Sequence, residues 1–186
     1  MGLLSRLHRD RRGVAMLELA LALPLLLVLF IGGYDVVRLL VLNQKLDRLA
    51  RAMADLATQG RSISTADLQQ IYEVTDSVMW PFNFASSGRI VISGLKANGS
   101  NVKVTWQATG AGSFSAASRI GTQGGTAHLP SGFTLSGSET SVAAEAFFDF
   151  RPVFSSVPFI GVIVSPSLLY RTAFFPPRLA PLDSLG

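Results

Sequence analysis

The chain has no cysteine and only two histidines. The first absence excludes disulfides, a thiol nucleophile and any cysteine-based metal site, so the fold must hold together by burial alone. The second leaves His8 and His128 as the only imidazoles, too few for the closely spaced ligands of a zinc centre. A serine nucleophile needs a base. His128 reads instead as a solvated loop residue, and no serine sits in a G-x-S-x-G turn. Gly124-Gly125 lacks the flanking strand, helix and lysine of a phosphate-binding loop. Charge is sparse as well, at 12 acidic and 16 basic residues. Four of the basic residues (Arg6, Arg9, Arg11, Arg12) fall in the first 13 positions against one acid, Asp10, and the remainder is close to neutral. That distribution provides no basic stripe for nucleic acid. The expectation is a protein with no catalytic residue, no cofactor, no metal and no nucleic-acid partner. Glu145 and Asp149, four apart on an expected strand, read as a solvated face or as partners of Arg151 or Arg171. Trp80, Trp106 and the phenylalanines read as core.

What the sequence does have is one long apolar run. Val14 to Gly33 is broken only by Glu18. Twenty residues suffice to cross a hydrocarbon layer of about 30 Å as a helix. Arginines ahead of a span stay on the cytoplasmic side, which sets the N-terminus inside and residues from about Tyr34 outside. Helix-forming sequence continues to Thr58, with Leu39, Leu42, Leu46, Leu49, Met53 and Leu56 at alternating spacings of three and four. A helix over 14–58 would be roughly 67 Å long at about 1.5 Å per residue. Its apolar seam can pack on the chain's own domain, on sister subunits, or on each at different heights.

Beyond Gln59-Gly60 a second helix is expected over 65–79, opened by a capping box of Ser64 and Asp67 and closed before Pro81. The period then changes. Residues 89–95 and 101–108 read as a hairpin around Asn98-Gly99, with Val102, Val104 and Trp106 on one face and the other face wet. Residues 141–150 and 168–175 read as two further strands. Residues 110–141 form a Gly/Ser-rich loop, expected to be functional or mobile, and the residues after Pro177 read as a loose tail. The organisation predicted is α+β: a basic leader 1–13, a transmembrane helix 14–34, a helical stalk 35–60, and a domain over 61–186 with a second helix and an antiparallel sheet.

Three readings compete for the first 34 residues. A cleaved secretory signal fits the basic start, but not the length of the apolar run or its exit at Ile31-Gly32-Gly33. A plain signal anchor leaves Glu18 unexplained, although a carboxylate in hydrocarbon costs about 2.5 kcal/mol or more. In a prepilin-type leader, cleavage after Gly13 creates an ammonium at Val14, one helical turn from Glu18 and on the same face. Such a pair adds little net stability but fixes register, because a misplaced helix strands both charges.

Gly13 followed by Val14-Ala15-Met16-Leu17-Glu18 resembles the processing region of type IVb prepilins. The pattern R-G-x-x-x-x-E, then Leu23-Pro24-Leu25-Leu26 and Leu49-Ala50-Arg51-Ala52, resembles the TadE-like minor pseudopilins of the tight-adherence (Tad, or Flp-type) pilus. Later segments (residues 90–93, 104–107, 129–132, 142–152 and 169–178) are similar to the family's strands and loop. One feature departs from the pattern: Leu19 stands where major pilins of this class usually carry an aromatic; the cysteines that some family members carry are absent here. The resemblance implies a non-enzymatic minor pseudopilin of the bacterial inner membrane, cut by a prepilin peptidase between Gly13 and Val14. Glu18 would serve assembly, and Leu39 to Leu56 would pack along the stalk. Its implied partners are other pilins or pseudopilins and the pilus assembly platform, with roles in pilus biogenesis, adhesion and biofilm formation. The alternative is an unprocessed, single-span periplasmic adaptor or sensor.

Overall fold

The computed structural model describes residues 12–154 and 164–186. Most of the leader, residues 1–11, lies outside them. The first helix, α1, runs Arg12–Ala57 and contains Pro24. A short connection leads to α2 (Thr65–Met79), then to a single turn, α3 (Phe84–Ser87). Four strands come next: β1 (Gly88–Asn98), β2 (Asn101–Gly110), β3 (Thr140–Phe150) and β4 (Ser167–Phe175). They form one antiparallel sheet in the order β2-β1-β3-β4. The class is α+β, with one helix among the described residues long and apolar enough to cross a membrane.

The chain forms two compact units. One comprises the residues up to Leu39 together with Arg151–Pro166; the other comprises Leu40–Phe150 and Ser167–Gly186. In the second unit the core lies on both faces of β3, whose residues 141–148 are all buried. Along α1, Leu42, Leu46, Leu49 and Met53 are wholly buried. Two polar ties hold this part of the helix: Asn43 Oδ1 accepts from Arg171 on β4 at 2.6 Å, and Lys45 donates to the Val78 carbonyl at 2.8 Å. The second tie places a cation on the C-terminal turn of α2, where carbonyls are unpaired and the helix dipole is negative. At the other end of α2 the Ser64–Asp67 capping box is formed in both directions. The Asp67 carboxyl is held below its ordinary range by the hydrogen bonds from the Ser64 side chain and backbone.

The β1–β2 hairpin turns through Gly99, at φ 66°, and Ser100, between the paired Asn98 and Asn101. Its register breaks once. Gly94 pairs with Trp106, but Leu95 pairs with Val104, leaving Thr105 as an extra residue. A bulge of this kind reverses the facing of the strand on its far side. Val104 joins a cluster with Leu95, Val102, Ile120 and Ala143, while Trp106 falls on the opposite face. The expected single face of Val102, Val104 and Trp106 is thus divided. Trp106 packs directly over Gly94, where a Cβ would come within 2.1 Å of the indole nitrogen. Its N–H donates to the Leu182 carbonyl at 2.7 Å. Trp80, by contrast, is exposed and not part of the core.

The C-terminal residues are not a loose tail. Leu182 is buried, Asp183 pairs with Lys96 at 2.6 Å, and the Gly186 N–H donates to the Ile63 carbonyl at 2.9 Å. Arg178 pairs with Asp55 on α1. Each tie is to a group far away in sequence, which is why composition alone does not announce them.

Candidate functional site

From Val14 to Phe30, α1 presents an apolar surface on which no residue is buried among the described residues. The most apolar 18-residue window of the helix has no buried residue. Leu21, Leu25, Leu29 and Phe30 are each about seven-tenths exposed. Gly13 has no heavy atom near its missing side chain, and Val14 is exposed. Glu18 is exposed in the midst of this surface, and no ion pair to it occurs among the described residues. Val14 and Glu18 stand four apart on continuous helix, about 6 Å along the axis at about 1.5 Å per residue. The arrangement can hold one counter-charge at Glu18 and otherwise accepts only apolar neighbours.

At the C-terminal end of the run the chemistry changes within one turn. Asp35 is fully buried in its unit. Its carboxylate accepts the backbone N–H groups of Val153 and Phe154 at 3.0 and 3.1 Å, and Arg38 donates to it at 3.3 Å. Tyr34 meets Phe154 edge to face, with ring centroids 6.0 Å apart, and the Arg38 guanidinium lies 5.8 Å from the Tyr34 ring centre. The leucine spacing alone leaves Asp35 off the seam and does not show its burial. The signal that points inward is Arg38 three residues on, a pair that can neutralise a buried carboxylate.

The leucine seam divides. Leu42, Leu46, Leu49 and Met53 are spent inside the chain's own second unit, whereas Leu39 and Leu56 are half-buried. The four central positions are therefore unavailable to a neighbouring helix unless this unit opens.

Glu145 is neither solvated nor bonded to Arg151 or Arg171. It is fully buried in the middle of β3. Four donors converge on its carboxylate: the Ser118 hydroxyl, the N–H groups of Arg119 (2.8 Å) and Ile120 (3.3 Å), and the Tyr170 hydroxyl (3.0 Å). Ser118 Oγ in turn accepts the Gly121 N–H at 3.2 Å, and the Arg119 guanidinium stacks 4.4 Å from the Tyr170 ring centre. Burial, and then the Glu145 charge beside it, pushes the Tyr170 phenol well above the tyrosine range. Arg171 donates instead to Asn43 and to the Tyr170 carbonyl.

This carboxylate fastens the Gly/Ser-rich loop over the sheet. Along the free edge of β2, the Val104 N–H donates to the Gly125 carbonyl and the Ala127 N–H to the Val102 carbonyl. Gln107 donates to both Ser93 and the Gly121 carbonyl at 2.9 Å. Phe133 stacks on Phe174 at 4.3 Å. The loop is a packed cover that protects an edge strand, with His128 exposed on it. No group of three or more His, Cys, Asp or Glu side chains able to hold a metal occurs among the described residues.

Residues 13–55 match the family model described as TadE-like protein. No curated protein and no solved structure matches the chain. The matched stretch holds the bare apolar surface, Glu18, Asp35 and the buried leucines through Met53, so it is over this helix that the chain is similar to the TadE-like family.

Proposed function

We propose that the chain is a minor pseudopilin of a Tad-type pilus assembly system. It is anchored by one span in the inner membrane, with its N-terminus cytoplasmic and its sheet periplasmic. A prepilin peptidase hydrolyses the Gly13–Val14 bond: water adds across the amide, leaving a carboxylate on Gly13 and an ammonium on Val14. The observation that carries this reading is Glu18, exposed on the apolar helix with no ion-pair partner among the described residues. In hydrocarbon such a charge costs about 2.5–3.5 kcal/mol, and the new ammonium one turn away, on the same or a neighbouring chain, offsets that cost. Other pilins and the assembly platform are the partners. The reading gives the chain no catalytic role, and it takes the Glu145 carboxylate, with its four structural donors, as a fastening of the fold. Through pilus biogenesis it contributes to adhesion and biofilm formation.

N-terminal sequencing of the protein from its native membrane tests the reading. Val14 as the first residue supports it; retention of the arginine-rich start refutes it and leaves a single-span periplasmic adaptor or sensor. Glu18→Gln is expected to leave cleavage intact and impair assembly. Normal pili in Glu18→Gln cells overturn the role given to the carboxylate.

A further inference from the structure

The segment that leaves β3 carries an exposed valine beside a half-buried phenylalanine, apolar surface for which a water-facing connection has no use. Val153 is more than half exposed. With Phe154 it lines a shallow depression completed by Phe30, Ile31 and Tyr34 of α1. Phe30 and Tyr34 are themselves largely exposed. This patch is continuous with the bare apolar surface of the span. Its height comes from helix geometry: Gly13 to Tyr34 is about 32 Å at about 1.5 Å per residue, close to the roughly 30 Å of a hydrocarbon core. Tyr34 therefore falls at the membrane–water boundary, the level that tyrosine and snorkelling arginine favour. Arg38, one turn further out and placed against the Tyr34 ring, suits the headgroup layer.

We propose that this patch is a second membrane contact, in which the start of the β3–β4 connection rests in the interfacial layer of the bilayer beside the span. The inference rests on the membrane-anchored reading above. Asp35 supplies the physical condition for it. Irregular backbone at this level is tolerated only where its polar groups are satisfied. Asp35 takes up the N–H groups of Val153 and Phe154, the two residues whose side chains join the patch. Arg38 compensates the charge of that carboxylate. A lipid surface is thus the occupant this chemistry fits.

The absence of cysteine makes the test direct. The full chain carrying Val153→Cys is labelled with an environment-sensitive fluorophore and reconstituted into phosphatidylcholine–phosphatidylglycerol vesicles that contain shallow spin-labelled lipid. Leu23→Cys marks the span and Gln123→Cys marks the exposed polar loop. The Val153 label is expected to be quenched several-fold more than the Gln123 label. Adding Asp35→Ala is expected to bring it down toward the Gln123 level while leaving Leu23 unchanged. Quenching at Leu23 but not at Val153 overturns the proposal and spares the anchor. No quenching at Leu23 defeats the membrane reading itself. Shielding at Val153 that grows with protein-to-lipid ratio, without lipid quenching, assigns the patch to a second copy and also overturns the proposal.

Discussion

Replacing Glu145 by alanine tests whether one buried carboxylate holds the loop to the sheet. The substitution removes the acceptor of four hydrogen bonds. Two of the donors have a way out. Arg119 is exposed, so its N–H can reach water, and the Ser118 hydroxyl can rotate. The other two do not: Ile120 is buried and Tyr170 is half-buried with its ring against Phe147 at 5.0 Å. An orphaned buried donor costs about 1–3 kcal/mol, so the pair implies about 2–6 kcal/mol. For a chain of this size that is a fall in melting temperature of roughly 5–20 °C. Glu145→Gln keeps one acceptor oxygen for the two N–H groups and can donate to a rotated Tyr170 or Ser118 hydroxyl, so it is expected to lose less than half as much. The measurement is thermal unfolding of the full chain in detergent, monitored by near-ultraviolet circular dichroism of buried Trp106. Limited trypsin digestion is the local readout, because Arg119 becomes cleavable only when its backbone leaves the sheet. If Glu145→Ala melts within a degree or two of the parent and Arg119 stays protected, the carboxylate does not fasten the loop.

Leu46→Ala is expected to cost about 2–5 kcal/mol, the range for a wholly buried leucine, whereas Leu29→Ala on the bare surface leaves the sheet unit's melting unchanged. Equal effects in the same detergent melts would contradict the inward packing of the seam. Gly94→Ala brings a methyl within 2.1 Å of a buried indole, and overpacking of this kind costs about 1–3 kcal/mol; unchanged Trp106 dichroism and melting would refute the close approach. The Tyr170 phenol titrates above the ordinary tyrosine value of 10.0 because it is buried beside Glu145. A raised folded value means its stabilising contribution is complete below the ordinary value and is lost as pH rises through the folded one. Removing the charge with Glu145→Gln is expected to move the Tyr170 absorbance titration to lower pH, and a shift upward would reverse the assignment.

Local signals in the sequence are strong where the responsible residues are neighbours. Ser64 and Asp67 mark the start of α2 because a cap is a three-residue device, and Pro81 marks its end for the same reason. The four strands are visible as β-rich runs between turn residues. The order β2-β1-β3-β4 is not visible, since it depends on which run pairs across the long loop. Thr105 shows how little it takes to mislead. Alternation puts Val104 and Trp106 on one face, and one inserted residue sends them to opposite faces. Glu145 misleads differently. A carboxylate four residues from another acid has the pattern of a wet strand face, and only the return of a distant Gly/Ser-rich segment makes it dry. Ser118, Arg119 and Ile120 bring mostly backbone donors, which no side-chain pattern betrays. On the helix, the bare apolar surface and the place of Glu18 within it are legible because the surrounding run is monotonously apolar.

The same helix meets two opposite solvation problems, and this bears on how subunits can touch. From Leu42 to Met53 the seam side chains have no exposed surface, because the chain's own second unit covers them. A three-four spacing normally suggests helix pairing between chains, but here that apolar area is already removed from water. Forming a coiled coil with it would require exposing as much as it buries. From Val14 to Phe30 the reverse holds: the surface is apolar, almost uncovered, and carries one carboxylate. In lipid that surface has no hydrophobic drive toward another helix, since acyl chains solvate leucine equally well. Close packing and charge pairing are what remain to favour a neighbour, and on the proposed reading the charges are Glu18 and the Val14 ammonium. Under the proposed pseudopilin reading, the choice of register along the span falls on that pair.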